Sequence, residues 1–265
     1  VKDIKTGSVG SYPYRLISAN GTLFFIADDG ISGSELWRSD GTVSGTTLVQ
    51  DILPGSGGSL AYSPINANGT LIFAANDGVS GSELWKSDGS AAGTTLVKNI
   101  QSYDVSPSNP NSLTDVNGTL FFVADDGIAG RELWKSDGTV AGTVLVKDIR
   151  PGTAGDGPYP LTNVNGTLFF VADDGLTGRE LWKSDGTFSD TVLVKDINPG
   201  GASDPRLLTN VDGTPFFVAN DGVTGMELWK SDGTQAGTVL VKDIRPGSGN
   251  GIISFIGYGS IGSTL

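Results

Sequence analysis

The stretch NGTLFFVADDGLTGRELWKSDGTFSDTVLVKDI, residues 165–197, decides the fold. It opens on Asn165-Gly166, a strong hairpin signal because both turn positions need positive φ. Residues 159–164 read as the strand before that turn and 167–173 as the strand after it. DGLTG then turns the chain into a third strand, 179–184, and DGTFSD turns it into a fourth, 191–197. Each joint carries the Asn, Asp or Gly that turns require. Helix is a poor alternative, since each interior glycine costs a helix about 1 kcal/mol relative to alanine.

The strand faces carry the next inference. Leu168, Phe170 and Ala172 point one way, while Phe169 and Val171 point the other. Leu181 lies opposite Trp182. An antiparallel sheet with one wet face would be polar on alternate residues. A sheet that is apolar on both faces must be sandwiched between neighbours, as the blades of a β-propeller are.

Working outward, the unit recurs. VKDI, with variants, begins at Val1, Val49, Val97, Val146, Val194 and Val241, in steps of 48, 48, 49, 48 and 47 residues. A fixed period of this size marks a repeat architecture. Five full units run 1–48, 49–96, 97–145, 146–193 and 194–240, and a partial one runs 241–265. The expectation is an all-β, single-domain propeller over 1–265, built of four-stranded antiparallel blades.

Composition excludes several classes. Net charge is −12 and the sequence pI about 4.3, which repels nucleic-acid phosphates. No basic run or long apolar stretch points to membrane insertion. The chain has neither cysteine nor histidine, so disulfides, thiolate or imidazole metal sites and Ser-His or Cys-His catalysis are absent. The chain starts at Val1 with no charged and apolar leader after it. It therefore reads as a processed product or a piece of something longer.

The repeated ELWKSDGTxxGT core resembles the bacterial ELW–DGT repeat proteins, across residues 12–244. That resemblance implies a secreted, extracellular or cell-surface protein. Units depart mildly from the pattern, with Asp190 for glycine, Ser90 for threonine, Asp212 for the turn asparagine and Pro215 in a strand. ADDGLTGRELW, residues 172–182, also resembles the tryptophan-docking motif of quinoprotein propellers. Its placement between strands two and three differs from that family's, so it supports tryptophans docked between blades but does not support a quinone cofactor.

Blade count follows from the ends. Residues 1–4 copy a fourth strand, while 252–258 read as a first strand and SIGSTL as the start of a second. Pairing both ends in one blade would hide a sheet edge. Six positions, the sixth a hybrid without a tryptophan strand, are expected.

The repeated residues read mainly as structure. Trp37, Trp85, Trp134, Trp182 and Trp229 sit mid-strand in every unit and are expected as core anchors. Glu35, Glu83, Glu132, Glu180 and Glu227 are equivalent by copying, whereas a carboxylate hydrolase needs two differently tuned acids. A salt bridge to a neighbouring blade is their expected role, and no catalytic residue is assigned. Asp28, Asp29, Asp125, Asp126, Asp173 and Asp174 precede the second turn. They are candidate calcium ligands, since calcium takes six to eight oxygens, but their spacing lacks the D-x-D-x-D-G alternation of loop sites. Asn-Gly-Thr at Asn20, Asn68, Asn117 and Asn165 fits a glycosylation sequon, yet the hairpin alone explains it.

Variable positions point to function. Six residues before the turn Asn or Asp stand Tyr14, Tyr62, Asn111, Tyr159 and Arg206. The loops that hold them, rich in tyrosine (Tyr12 and Tyr103 included), are expected on one rim with the ADDGxxG loops. Tyrosines beside carboxylates and amides suit a sugar, and loops on a rigid scaffold often carry function. The expectation is a non-catalytic structural or adhesive module with a glycan or protein surface as partner. Self-association as a filament or surface-layer subunit is the alternative, and an enzyme with one asymmetric site the less favoured class.

Overall fold

The computed structural model describes residues 1–101, 106–153 and 155–252. They form five four-stranded antiparallel sheets and, among the described residues, no helix. The sheets span 14–50, 62–98, 111–147, 162–195 and 206–242, each with its four strands in chain order. Residues 253–265, on which most of the expected sixth unit falls, lie outside the described residues, as does Tyr103.

The first hairpin of each sheet forms where Asn-Gly or Asp-Gly stands. Asn20, Asn68, Asn117, Asn165 and Asp212 have φ between 47° and 52°, and the glycine after each also has positive φ. Both central residues are thus left-handed, which matches the twist of the flanking strands. The second and third strands then pair in one register throughout. Phe25 faces Trp37, Phe73 faces Trp85, Phe122 faces Trp134, Phe170 faces Trp182 and Phe217 faces Trp229.

One expected strand is shorter than its sequence suggested. The first strand of the fourth sheet covers Thr162–Val164 rather than 159–164. Pro160 has no N–H to donate to a ladder, whereas the proline before the strand is shared with units whose first strand is full length. Only the Tyr159 amide, 2.9 Å from the Val171 carbonyl, still bonds there. Tyr14 and Tyr62 correct the loop reading in the other direction, because each begins a strand.

Two-faced burial builds four equivalent cores. The Leu face of one sheet packs on the Trp face of the next. Between the first and second sheets, Phe24, Ile26, Leu36, Val49 and Ile52 meet Leu71, Phe73, Ala75 and Trp85. The same positions recur at the next three junctions, ending with Phe169, Leu181, Val194 and Ile197 against Phe217, Ala219 and Trp229. All five tryptophans are buried.

Polar contacts register the sheets against one another. Lys98, Lys147 and Lys195 donate to the carbonyls of Thr143, Thr191 and Thr238 in the following sheet at 2.7–2.8 Å. The same ammonium groups lie 5.6–6.0 Å from the centres of Trp134, Trp182 and Trp229. Lys2 repeats both contacts, at 2.9 Å to Thr46 and 5.8 Å from Trp37, and Ile4 packs on Phe25, Ala27 and Trp37. Residues 1–4 thus make the contacts of a fourth strand against the first sheet without being one.

The DGT joint is a closed set of local bonds. Asp40 accepts from the amide and hydroxyl of Thr42, and Ser39 and Thr46 share a buried hydroxyl contact of 2.7 Å. Hydrogen bonds from Thr42 hold the Asp40 carboxyl below its ordinary value.

Candidate functional site

Among the described residues the repeated glutamates form none of the expected salt bridges. Each lies buried at the start of a third strand and clamps the connection to the next sheet. Glu35 accepts from the amides of Leu53 and Ser59 at 3.2 and 2.7 Å, and from the Ser59 hydroxyl at 2.7 Å. Glu83 holds Ile100 and Ser108 in the same way, and Glu180 holds Ile197 and Ser203. Glu227 takes the amides of Ile244 and Gly251. Buried backbone amides need an acceptor and burial excludes water, so the carboxylates take amide donors in place of the expected Lys or Arg partner.

Glu132 is the exception. Its Oε1 accepts from the Arg150 amide at 3.1 Å, while Oε2 is buried without a partner. The position that holds serine in the first, second and fourth connections holds Asp156 here. A second carboxylate beside Glu132 would be repelled, and Asp156 instead pairs with Arg179 at the surface. Glu132 is only 3% exposed. Desolvation pushes its carboxyl up to about 7, with Asp148 and Asp126 adding repulsion. The carboxyls of Glu35, Glu83 and Glu180 are also raised by burial, against opposing hydrogen bonds from their serines.

Above Glu132 opens a pocket of about 400 Å³ between the third and fourth sheets. Arg131, Arg150, Arg179, Asp156, Asp173 and Tyr159 line it. Arg150 pairs with Asp173 at 2.7 Å. A second pocket of about 490 Å³ adjoins it, shares Tyr159, Val171 and Arg179, and adds Arg206. Four of the seven arginines of an acidic chain therefore surround one stretch of rim.

The five variable positions thus separate. Tyr159 and Arg206 come together at one pocket, and Tyr159 is 69% exposed. Tyr62 is half-buried, and its hydroxyl accepts from Ser82 at 3.0 Å. Asn111 donates to the Asn109 carbonyl at the edge of its own sheet. Tyr14 is partly exposed but lies on the first sheet, away from both pockets. Sequence reasoning named Arg206 for this rim but missed Arg131, Arg150 and Arg179, and it gave Glu132 a salt bridge instead of a place in a pocket. The available signal was Asp156 in a column otherwise of serine or glycine.

The calcium candidates are engaged elsewhere. Asp29, Asp126 and Asp174 each cap two amides of their own turn, at 2.7–2.9 Å. Asp28, Asp125 and Asp173 each accept from the glycine amide two residues on. Asp28 and Asp173 also pair with Lys5 and Arg150. Among the described residues no three acidic groups are placed to hold a metal ion together.

No protein-family model and no curated protein matches the chain. Solved structures do. A structure from a study of two prolyl endopeptidases is 13% identical with a TM-score of 0.52, over 83% of this chain and 32% of that one. A puromycin hydrolase is 16% identical at 0.49, over 85% and 38%. The computationally designed Ika8 protein is 14% identical at 0.47, over 92% and 65%. The chain spans about a third of the length of the prolyl endopeptidase structure. At this identity the likeness concerns the fold, a β-propeller-like repeated all-β architecture.

Proposed function

We propose that the protein is a non-catalytic extracellular binding module. Its sheets are blades of a propeller with six positions, and it recognises a glycan through the rim of the third to fifth sheets. One observation carries the reading: two adjoining pockets share the exposed ring of Tyr159, with arginines and carboxylates on either side. An aromatic face covers sugar C–H groups, while charged and amide neighbours take hydroxyls. The contacts of Lys2 and Ile4 support the sixth position, since residues 1–4 stand where a preceding fourth strand would. A glycan array tests the function. Binding that Tyr159→Ala abolishes and Tyr14→Ala spares is expected. An array without a hit, or a hit indifferent to Tyr159, overturns it.

A second reading, self-assembly, rests on a separate observation. On the Leu face of the fifth sheet, Val211, Val241 and Ile244 are 48%, 43% and 51% exposed, though their counterparts are buried at all four junctions. Sedimentation velocity across concentrations would show polymers that Val241→Asp with Ile244→Asp dissolves. A monomer at all concentrations would sink this reading.

A further inference from the structure

The geometry points to the Glu132 pocket as a subsite for the carboxylate of an acidic sugar, with Glu132 as the group whose proton controls occupancy. This deepens the glycan reading and rests on it.

The site is built by a break in the repeat. Four of the five clamping glutamates have every carboxylate oxygen hydrogen-bonded. Among the described residues Glu132 alone of the five has a buried oxygen without a hydrogen-bond partner, and the residue lines the pocket between the third and fourth sheets. The charges facing it come from every neighbouring element. Arg131 starts its own strand, and Asp126 lies in the turn before that strand. Asp148 and Arg150 belong to the fourth strand's exit, Asp156 to the connection, and Asp173 and Arg179 to the next sheet.

Within the pocket lining, three arginines stand against Asp156, Asp173 and Glu132. With Glu132 ionised the lining is neutral, 3 − 3 = 0. With Glu132 protonated it carries 3 − 2 = +1. The lining thus gains one positive charge on protonation, while Asp126 and Asp148 face Glu132 from outside it. Its surplus charge sits on guanidinium, whose planar fork matches a carboxylate in two parallel hydrogen bonds. Arg150 and Arg179 already pair with carboxylates across the pocket mouth, so a ligand carboxylate would exchange for one they hold. Arg131 makes no ion pair among the described residues. A uronic acid joins the two features of this rim. Its ring lies on Tyr159 and its carboxylate on the arginines.

Because the Glu132 carboxyl is pushed up to about 7, the protonated pocket is populated at mildly acidic pH and lost above neutrality. Binding of an anion should therefore weaken as pH rises.

Titration calorimetry with a galacturonate trisaccharide, and with its methyl ester, tests the assignment on the whole chain. The acid form should bind about tenfold more tightly at pH 5.5 than at pH 8, the limit for one linked proton with this carboxyl. Arg179→Ala should lose most of the affinity, and Glu132→Gln should bind equally at both pH values. Asp156→Ser, which supplies the missing hydroxyl, should flatten the profile in the same direction. The wild-type profile needs no variant to fold. Equal binding of acid and ester overturns the carboxylate subsite and leaves the glycan reading standing. Binding of neither, with no other glycan bound, overturns both. An acidic peptide that binds as tightly, with the same dependence on Arg179, overturns the sugar assignment. A flat wild-type profile removes Glu132 from control.

Discussion

Asp156 stands in relation to Glu132 where Ser59 stands to Glu35, and it turns its carboxylate away to Arg179. One substitution in a copied loop thereby converts a satisfied clamp into a buried acid that titrates near neutrality. The consequence is a pH-dependent stability. The ordinary glutamate value is 4.5 and the folded value is about 7. The folded state therefore holds this proton more tightly than the unfolded chain. Stability linked to Glu132 is complete below about 4.5, falls as pH rises to about 7, and is level above that. The loss is at most about 3 kcal/mol at 1.36 kcal/mol per pH unit. Urea titrations at pH 5 and pH 8 should show a smaller drop for Glu132→Gln than for wild type. Equal drops would refute the account.

The serine clamp makes a mirror-image pair of predictions. Ser59→Ala strips Glu35 of its hydroxyl partner and leaves a buried carboxylate oxygen unsatisfied, at a cost of about 1–3 kcal/mol. Asp156→Ser does the reverse for Glu132 and should stabilise at pH 8, where the free acid is most unfavourable. Loss of the exposed Asp156–Arg179 pair subtracts little, because surface pairs are worth about 0–1 kcal/mol. Midpoints in urea decide the matter, and Asp156→Ser falling below wild type at pH 8 would contradict it.

Much of this molecule is legible in its sequence because the repeat states the same geometry five times. Asn20-Gly21 and its copies announce the hairpin, since few residue pairs accept two left-handed positions. The alternation of Leu168, Phe169 and Phe170 announces two buried faces. The glutamates were misread because their partners are backbone amides 17–25 residues downstream, and an amide leaves no signature in a sequence. The Glu132 pocket escaped for a related reason: its chemistry arises from a hydroxyl that is absent. The variable column of Tyr14, Tyr62, Asn111, Tyr159 and Arg206 reads as one rim, yet Tyr62 is tied to Ser82 while Tyr159 stands open. Tyr159 keeps one backbone bond, to Val171, yet its side chain stays exposed.

The tryptophans should behave as anchors without a polar task. None of the five indole N–H groups has a hydrogen-bond partner among the described residues. Trp134→Ala should cost about 3–5 kcal/mol, as aromatic truncations in a core do. Trp134→Phe keeps most of the packing and forfeits no hydrogen bond, so it should cost far less. Chemical denaturation of the two variants checks this. Equal losses would mean that the indole nitrogen matters after all.

Close approach of two loops sets the rim, and a single methyl group should disturb it. Gly33 has φ of 71°, and a Cβ there would lie 2.5 Å from the Gly58 amide nitrogen and 2.7 Å from the Ser56 carbonyl. Backbone cannot swing aside as a flexible side chain can. Gly41 has a similar left-handed φ of 92°, but nothing lies within 4 Å of its added Cβ. Gly41→Ala thus meets only the backbone penalty of a residue with a Cβ in that region, about 1–2 kcal/mol. Gly33→Ala meets the same penalty and a backbone clash. Thermal melts of both should rank Gly33→Ala well below Gly41→Ala, and the reverse order would mean that the two connections do not meet as described.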